Sequence, residues 1–194
     1  MYKIIKAMAL LYFKLFFRVK VTGTENIPKE GKAVLVSNHI SNYDPVVVGI
    51  YMDRIPRFMA KKELFEIFGL KHFFLALKAF PVDRGRADLA SYKQATNVLK
   101  SGEILGIFAE GTRVREDDAV AAKAGAALFA AKNNAPVIPV GVSSTYKLFS
   151  KVYINYGKPI SMEEYQGMRL NTPVLNEITD KIMGEIKKLK VEVE

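Results

Sequence analysis

The chain has 194 residues, of which 49% are hydrophobic and 25% charged, a balance that excludes a disordered chain and a polytopic membrane protein and fits one globular core. Its formal net charge of +9 suits phosphates, anionic lipid headgroups or acidic proteins as partners without choosing among them. The absence of cysteine excludes disulfides, a thiol nucleophile, an iron–sulfur cluster and a thiolate zinc site, and His39 and His72 are the only imidazoles available to a neutral-pH base.

Residues 2–20 hold Lys3, Lys6, Lys14, Arg18 and Lys20, with no acidic residue before Glu25. At about 100° per residue in a helix, Lys3, Lys6, Lys14 and Arg18 fall on one side and Ile4, Met8, Leu11, Leu15 and Val19 on another. The uninterrupted apolar run, residues 7–13, is far short of the roughly 20 residues of a spanning helix, and no small-residue cleavage site follows it. The pattern predicts an amphipathic helix in a membrane interface, with Tyr12, Phe13, Phe16 and Phe17 in the acyl boundary and lysines among headgroups. A helix packing its apolar side on the domain is the alternative. The expected organisation is a membrane-associating segment, residues 1–22, followed by a single domain, residues 23–194.

Beyond it, residues 33–37, 57–60, 79–82, 104–109, 137–142 and 152–156 read as strands, several apolar on both faces. Helical patterns alternate with them. Asp88 is placed to cap a helix bearing Leu89, Tyr92, Thr96 and Leu99, and Thr172 with Pro173 to open one bearing Leu175, Ile178, Ile182, Ile186 and Leu189. Apolar strands separated by helices predict an α/β fold with a largely parallel central sheet covered by helices.

The first of these strands runs directly into Asn38-His39-Ile40-Ser41-Asn42-Tyr43-Asp44-Pro45. In open α/β sheets, ligands bind at loops leaving the carboxyl ends of strands. Asp44 before Pro45 resembles a helix N-cap, which would hold its carboxylate near His39. A histidine oriented by a carboxylate can take a proton from a hydroxyl near neutral pH. From this spacing alone, a helix cap beside an ordinary loop histidine explains the same residues. Two later strand ends, Phe80-Pro81-Val82-Asp83-Arg84-Gly85-Arg86 and Ala109-Glu110-Gly111-Thr112-Arg113, supply guanidinium groups suited to phosphate, with glycines that let backbone N–H groups approach an anion. His72 has no carboxylate nearby in sequence and reads as a histidine at the edge of an apolar helix. The Phe- and Leu-rich run of residues 64–77 suits either core packing or the wall of an acyl-chain channel. No helix-turn-helix, zinc-finger or RNA-recognition signature is present, so nucleic acid is not an expected partner.

Asn38-His39 through Asp44, Phe80 through Arg84, Glu110-Gly111-Thr112-Arg113 and Val137-Ile138-Pro139-Val140 resemble the four ordered blocks of the glycerolipid acyltransferase family, across roughly residues 33–142. That family includes the 1-acylglycerol-3-phosphate acyltransferases. The resemblance implies an O-acyltransferase that moves an acyl group from a thioester to the free hydroxyl of lysophosphatidic acid, forming phosphatidic acid. It implies His39 as general base and Asp44 as its orienting partner. Arg84, Glu110, Gly111, Thr112 and Arg113 would shape the glycerol-phosphate site, and Pro139 belongs to the block tied to the acyl donor. No metal or bound cofactor is implied; acyl-CoA or acyl carrier protein enters as co-substrate, and a different lyso-lipid acceptor remains an alternative. The expected location is a membrane surface rich in anionic lipid, peripheral or monotopic on the cytoplasmic face. Ala109 departs from the proline common before the Glu-Gly-Thr-Arg run, Lys78 from a frequent glycine, and Ala122 from the aromatic that usually precedes the element matched by Lys123-Ala124-Gly125.

Overall fold

A computed structural model of the chain describes residues 2–83, 89–113, 122 and 124–193. Seven strands form one sheet: β1 (Arg18–Thr22), β2 (Ala33–Ser37), β3 (Pro56–Lys61), β4 (Phe80–Val82), β5 (Ile104–Phe108), β6 (Val137–Ser144) and β7 (Lys151–Tyr156). Their spatial order is β1-β7-β6-β2-β5-β3-β4. Every neighbouring pair is parallel except β6 and β7, which run antiparallel. The helices are α1 (Tyr2–Phe16), α2 (Asp44–Ile50), α3 (Leu70–Ala76), α4 (Leu89–Lys100), α5 (Gly125–Lys132) and α6 (Thr172–Leu189).

β2 shows why the sheet lies in the middle. All five of its residues are buried. By the two-residue alternation of a strand, Val34 and Val36 enter one apolar layer with Leu99, Ala127, Ile178 and Ile182, whereas Ala33 and Leu35 enter the opposite layer with Phe13, Val47, Val48 and Phe108. Helices α4, α5 and α6 thus cover one face, and α1 and α2 the other. Each fully buried Val, Leu or Ile contributes about 1.5–3 kcal/mol, so a strand apolar on both sides is stable only in this central position.

In α6, Ile178, Ile182 and Ile186 form the expected buried stripe; the cap is Asn171, whose side chain accepts the Val174 N–H, one residue before the expected Thr172. In α4, the buried row is Ser91, Ala95, Val98 and Leu99, and Leu89 is exposed. Asp88 lies outside the described residues.

The N-terminal expectation is corrected in two respects. The helix stops at Phe16, and residues 18–20 belong to β1, paired in parallel register with β7. Arg-Val-Lys-Val-Thr alternates exposed and half-buried positions, and its β-branched residues suit the pleat better than a helix. Phe13 and Phe17, expected in the acyl boundary, are instead buried against the α2 layer. The helix still presents Ile4, Met8, Leu11 and Leu15 to the outside, each more than half exposed. The boundary expected at residue 22 falls after a strand of the common sheet.

Candidate active site

The carboxyl end of β2 brings together residues from four parts of the chain. Asn38, buried, prolongs the β2–β6 pairing with its side chain: its Nδ2 donates to the Val142 carbonyl at 2.9 Å and its Oδ1 accepts the Val142 N–H at 2.8 Å. An amide side chain imitating a peptide fixes where the loop leaves the sheet, and His39 is the next residue.

The His39 ring is held on its edge and on its face. Its Nδ1 lies 2.9 Å from Asp44 Oδ2. Its plane stacks on Phe108 with ring centroids 4.0 Å apart and an 18° tilt. Phe108 in turn stacks on Phe58 at 5.4 Å. Asp44 is fully buried, and its Oδ2 also accepts the Ile40 N–H at 2.7 Å and the Ser41 N–H at 2.6 Å. Its Oδ1 accepts the Tyr146 hydroxyl at 2.7 Å. The expected N-cap role is therefore corrected. Asp44 is the first residue of α2, Tyr43 stands at the cap position, and the carboxylate turns back to organise the 39–41 loop. With Oδ2 accepting from the imidazole, Nδ1 carries the proton and Nε2 keeps the lone pair a base needs.

A cavity of about 310 Å³ opens beside this pair, lined by His39 and Phe108, by Phe73, Phe74 and Leu77, and by Tyr2 of α1. The run of residues 64–77 thus supplies part of the apolar wall, through Leu64, Phe73, Phe74 and Leu77. His72 is exposed on α3.

Glu110, Gly111, Thr112 and Arg113 follow β5 on the same edge of the sheet. Ala109, standing where the resembling family commonly has proline, donates its N–H to the Ser37 carbonyl at 2.9 Å, a bond proline cannot make. The turn closes by Gly111 N–H to the Phe108 carbonyl at 3.0 Å, with Gly111 at φ 66°, the left-handed region that glycine adopts without strain. Thr112 and Arg113 are exposed. Glu110 is buried, and its Oε2 has no hydrogen-bond partner among the described residues. Burial pushes its carboxyl above the ordinary value, against the opposing pull of its own backbone N–H, the His39 charge and N–H, and the Lys190 ammonium. Arg84, with Gly85 and Arg86, and Lys123 lie outside the described residues. Pro139 sits within β6 opposite Val36 and does not line the cavity. Its neighbours Ile138 and Val140 join the α1 and α2 layer, so its ring points to the other face, where it approaches Gly157.

Two residues near the pair carried no sequence signal. Tyr146 lies 102 positions from Asp44, in the loop between β6 and β7. Lys190, just past α6, bears on Glu110 only because the chain's last helix ends at this edge. Among the described residues, no group of His, Asp and Glu could hold a metal ion.

A histidine–carboxylate pair thus stands beside an apolar cavity at the carboxyl end of a mostly parallel sheet, the arrangement of an enzyme site. A model of the acyltransferase family matches residues 18–143, and the chain belongs to that family. It is 33% identical to the 1-acyl-sn-glycerol-3-phosphate acyltransferase of Bacillus subtilis (strain 168) over 198 residues, which covers 98% of this chain and 97% of that protein. Against the protein of the same name from Borreliella burgdorferi, identity is 30% over 180 residues, covering 85% of this chain and 72% of the relative. The fold is similar to the crystal structure of the 1-acyl-sn-glycerophosphate (LPA) acyltransferase PlsC from Thermotoga maritima, with a TM-score of 0.76 and 27% identity across 97% of this chain and 79% of that one. The chain is an acyltransferase on an α/β fold with a mostly parallel sheet.

Proposed function

We propose that this enzyme is a 1-acylglycerol-3-phosphate O-acyltransferase, which acylates the free hydroxyl of lysophosphatidic acid to give phosphatidic acid. The observation that carries the reading is the 2.9 Å contact between His39 Nδ1 and Asp44 Oδ2 at the wall of an apolar cavity. His39 Nε2 takes the proton of the acceptor hydroxyl as its oxygen attacks the thioester carbonyl. The new C–O bond forms, the C–S bond breaks, and the imidazolium returns its proton to the departing thiolate. No covalent acyl-enzyme forms, because the acceptor itself supplies the nucleophile.

Asp44 stabilises the imidazolium and fixes the tautomer. The cavity takes the acyl chain, and the Glu110–Arg113 turn, with Arg84, receives the phosphate. Pro139 acts indirectly, by packing β6 beneath the site. The donor is a thioester of coenzyme A or of acyl carrier protein, and no bound cofactor is required. The exposed stripe of α1 rests in an anionic bilayer surface on the cytoplasmic side, which makes the enzyme peripheral or monotopic. Among the described residues, no helix is long and apolar enough to cross a membrane.

The test incubates the protein in detergent with acyl-CoA or acyl carrier protein donors and a panel of lyso-lipids, with product detection by mass spectrometry. Lysophosphatidic acid should be the preferred acceptor. His39→Ala should lose about 10²–10⁴-fold in turnover and remain folded. A variant retaining more than about a tenth of turnover would remove His39 from the mechanism.

A further inference from the structure

We infer that Tyr146 is a positioning residue for acyl transfer, acting through Asp44. The inference rests on the reading of His39 as base. Asp44 has to keep one oxygen aimed at the imidazole, yet an aspartate's terminal torsion is broad and nearly two-fold, so the side-chain torsion alone does not fix it. Three donors converge on Oδ2, namely His39 Nδ1, Ile40 N–H and Ser41 N–H. Oδ1 receives the Tyr146 hydroxyl, at 2.7 Å. With Asp44 fully buried, this phenol fills the place water would take on an open carboxylate. It pins the second oxygen and so holds the plane of the first.

The surroundings of Tyr146 fit an anchor. Its backbone is in the left-handed region, at φ 49°, where a bulky residue is uncommon and must be held by its context. Its N–H donates to Ser144 Oγ at 2.9 Å. Its ring meets Tyr43 at 5.4 Å and, edge to face, Phe17 at 6.1 Å, so it is locked between α1 and the start of α2. Burial, with the Asp44 charge and hydrogen bond, pushes the phenol well above its ordinary range and keeps it a donor.

Packing alone would explain a buried tyrosine, and Tyr156 is the control. It is buried more fully than the half-buried Tyr146, and its hydroxyl donates to a backbone carbonyl, that of Val48, at 2.6 Å. Tyr146→Phe and Tyr156→Phe each remove one oxygen and keep the ring. The first should lower kcat about 10- to 100-fold, within the range set by general-base catalysis, with KM for donor and acceptor changed by less than about two-fold. The second should lower Tm and leave kcat in place. Ser144→Ala, which frees the Tyr146 backbone without touching the hydroxyl, should give a smaller loss of the same kind.

Nitrogen-15 spectra of the imidazoles supply the direct readout. The Nδ1 signal of His39 should shift in Tyr146→Phe while that of His72 stays fixed as the internal reference. A Tyr146→Phe enzyme with full kcat and an unmoved His39 signal overturns the proposal. So does a kcat loss matched by Tyr156→Phe at equal loss of Tm. Retention of activity in His39→Ala would instead remove the underlying mechanism, and the shift in the His39 signal would still report whether Tyr146 holds Asp44.

Discussion

Gly106 leaves the room in which the aromatic stack beneath the His39 ring lies. A Cβ at this position would stand 2.5 Å from the Phe58 ring, which stacks on Phe108, which stacks on His39. Gly106→Ala should therefore push the stack toward the cavity, costing about 1–3 kcal/mol of stability and lowering turnover. Thermal melts and steady-state rates on one preparation test this; unchanged kcat would uncouple the stack from the base. Glu110 gives a prediction with a definite sign. Its carboxyl is raised by burial, so the folded chain favours the neutral acid. The associated stability is present below the ordinary value and is lost as pH rises through the raised one. Glu110→Gln remains neutral, so it should match the parent in Tm near pH 4 and exceed it near pH 8. An equal difference in Tm at both pH values would remove burial as the cause. The His39–Asp44 pair was legible because its spacing is local and its residue types are chemically marked. Tyr146, Gly106 and Phe58 were not, because aromatic and glycine positions look alike until a sheet register brings them together.

At the scale of elements, the central strands were legible because a residue buried on both faces leaves an unbroken apolar run. The end of α1 was missed for the converse reason. Val19 continues the helical row of Leu15 as well as it begins the alternation of β1, and only pairing with β7 decides between them. The proposed membrane role of α1 therefore calls for point substitutions in place of a deletion. Deleting residues 2–20 would remove Phe13, Phe17 and most of β1, and would disturb the fold whatever the helix does outside. Met8→Glu with Leu15→Glu alters the exposed stripe alone and should abolish co-sedimentation with anionic vesicles at unchanged Tm. Phe13→Ala should do the reverse, costing about 3–5 kcal/mol of stability. If the double variant still sediments fully, the stripe is not the bilayer contact. The surface to change next would then be the β6–β7 loop, which exposes Leu148 and Phe149 beside Lys147 and Lys151 and whose Phe149 N–H donates to the Phe16 carbonyl at the end of α1.

For the whole molecule, the order of the strands in space differs from their order in time. β1 is made before every other strand, yet its partner is β7, and the bonded pair Thr22 and Asn155 are 133 residues apart. At about 5–20 residues per second of synthesis, β1 waits roughly 7–27 s for that partner. Through the same interval, Phe13 and Phe17 lack the β6 and β7 residues of the apolar layer they later join, Val140, Val142 and Val152 among them. The emerging helix is then apolar on both its future inner and outer sides. On the proposed membrane role of α1, a bilayer near the ribosome would meet the helix before the protein's own core exists, and attachment would precede closure of the sheet. Nascent chains stalled before residue 137 should hold vesicles more tightly than the finished enzyme, in which Phe13 of that helix is buried in the fold.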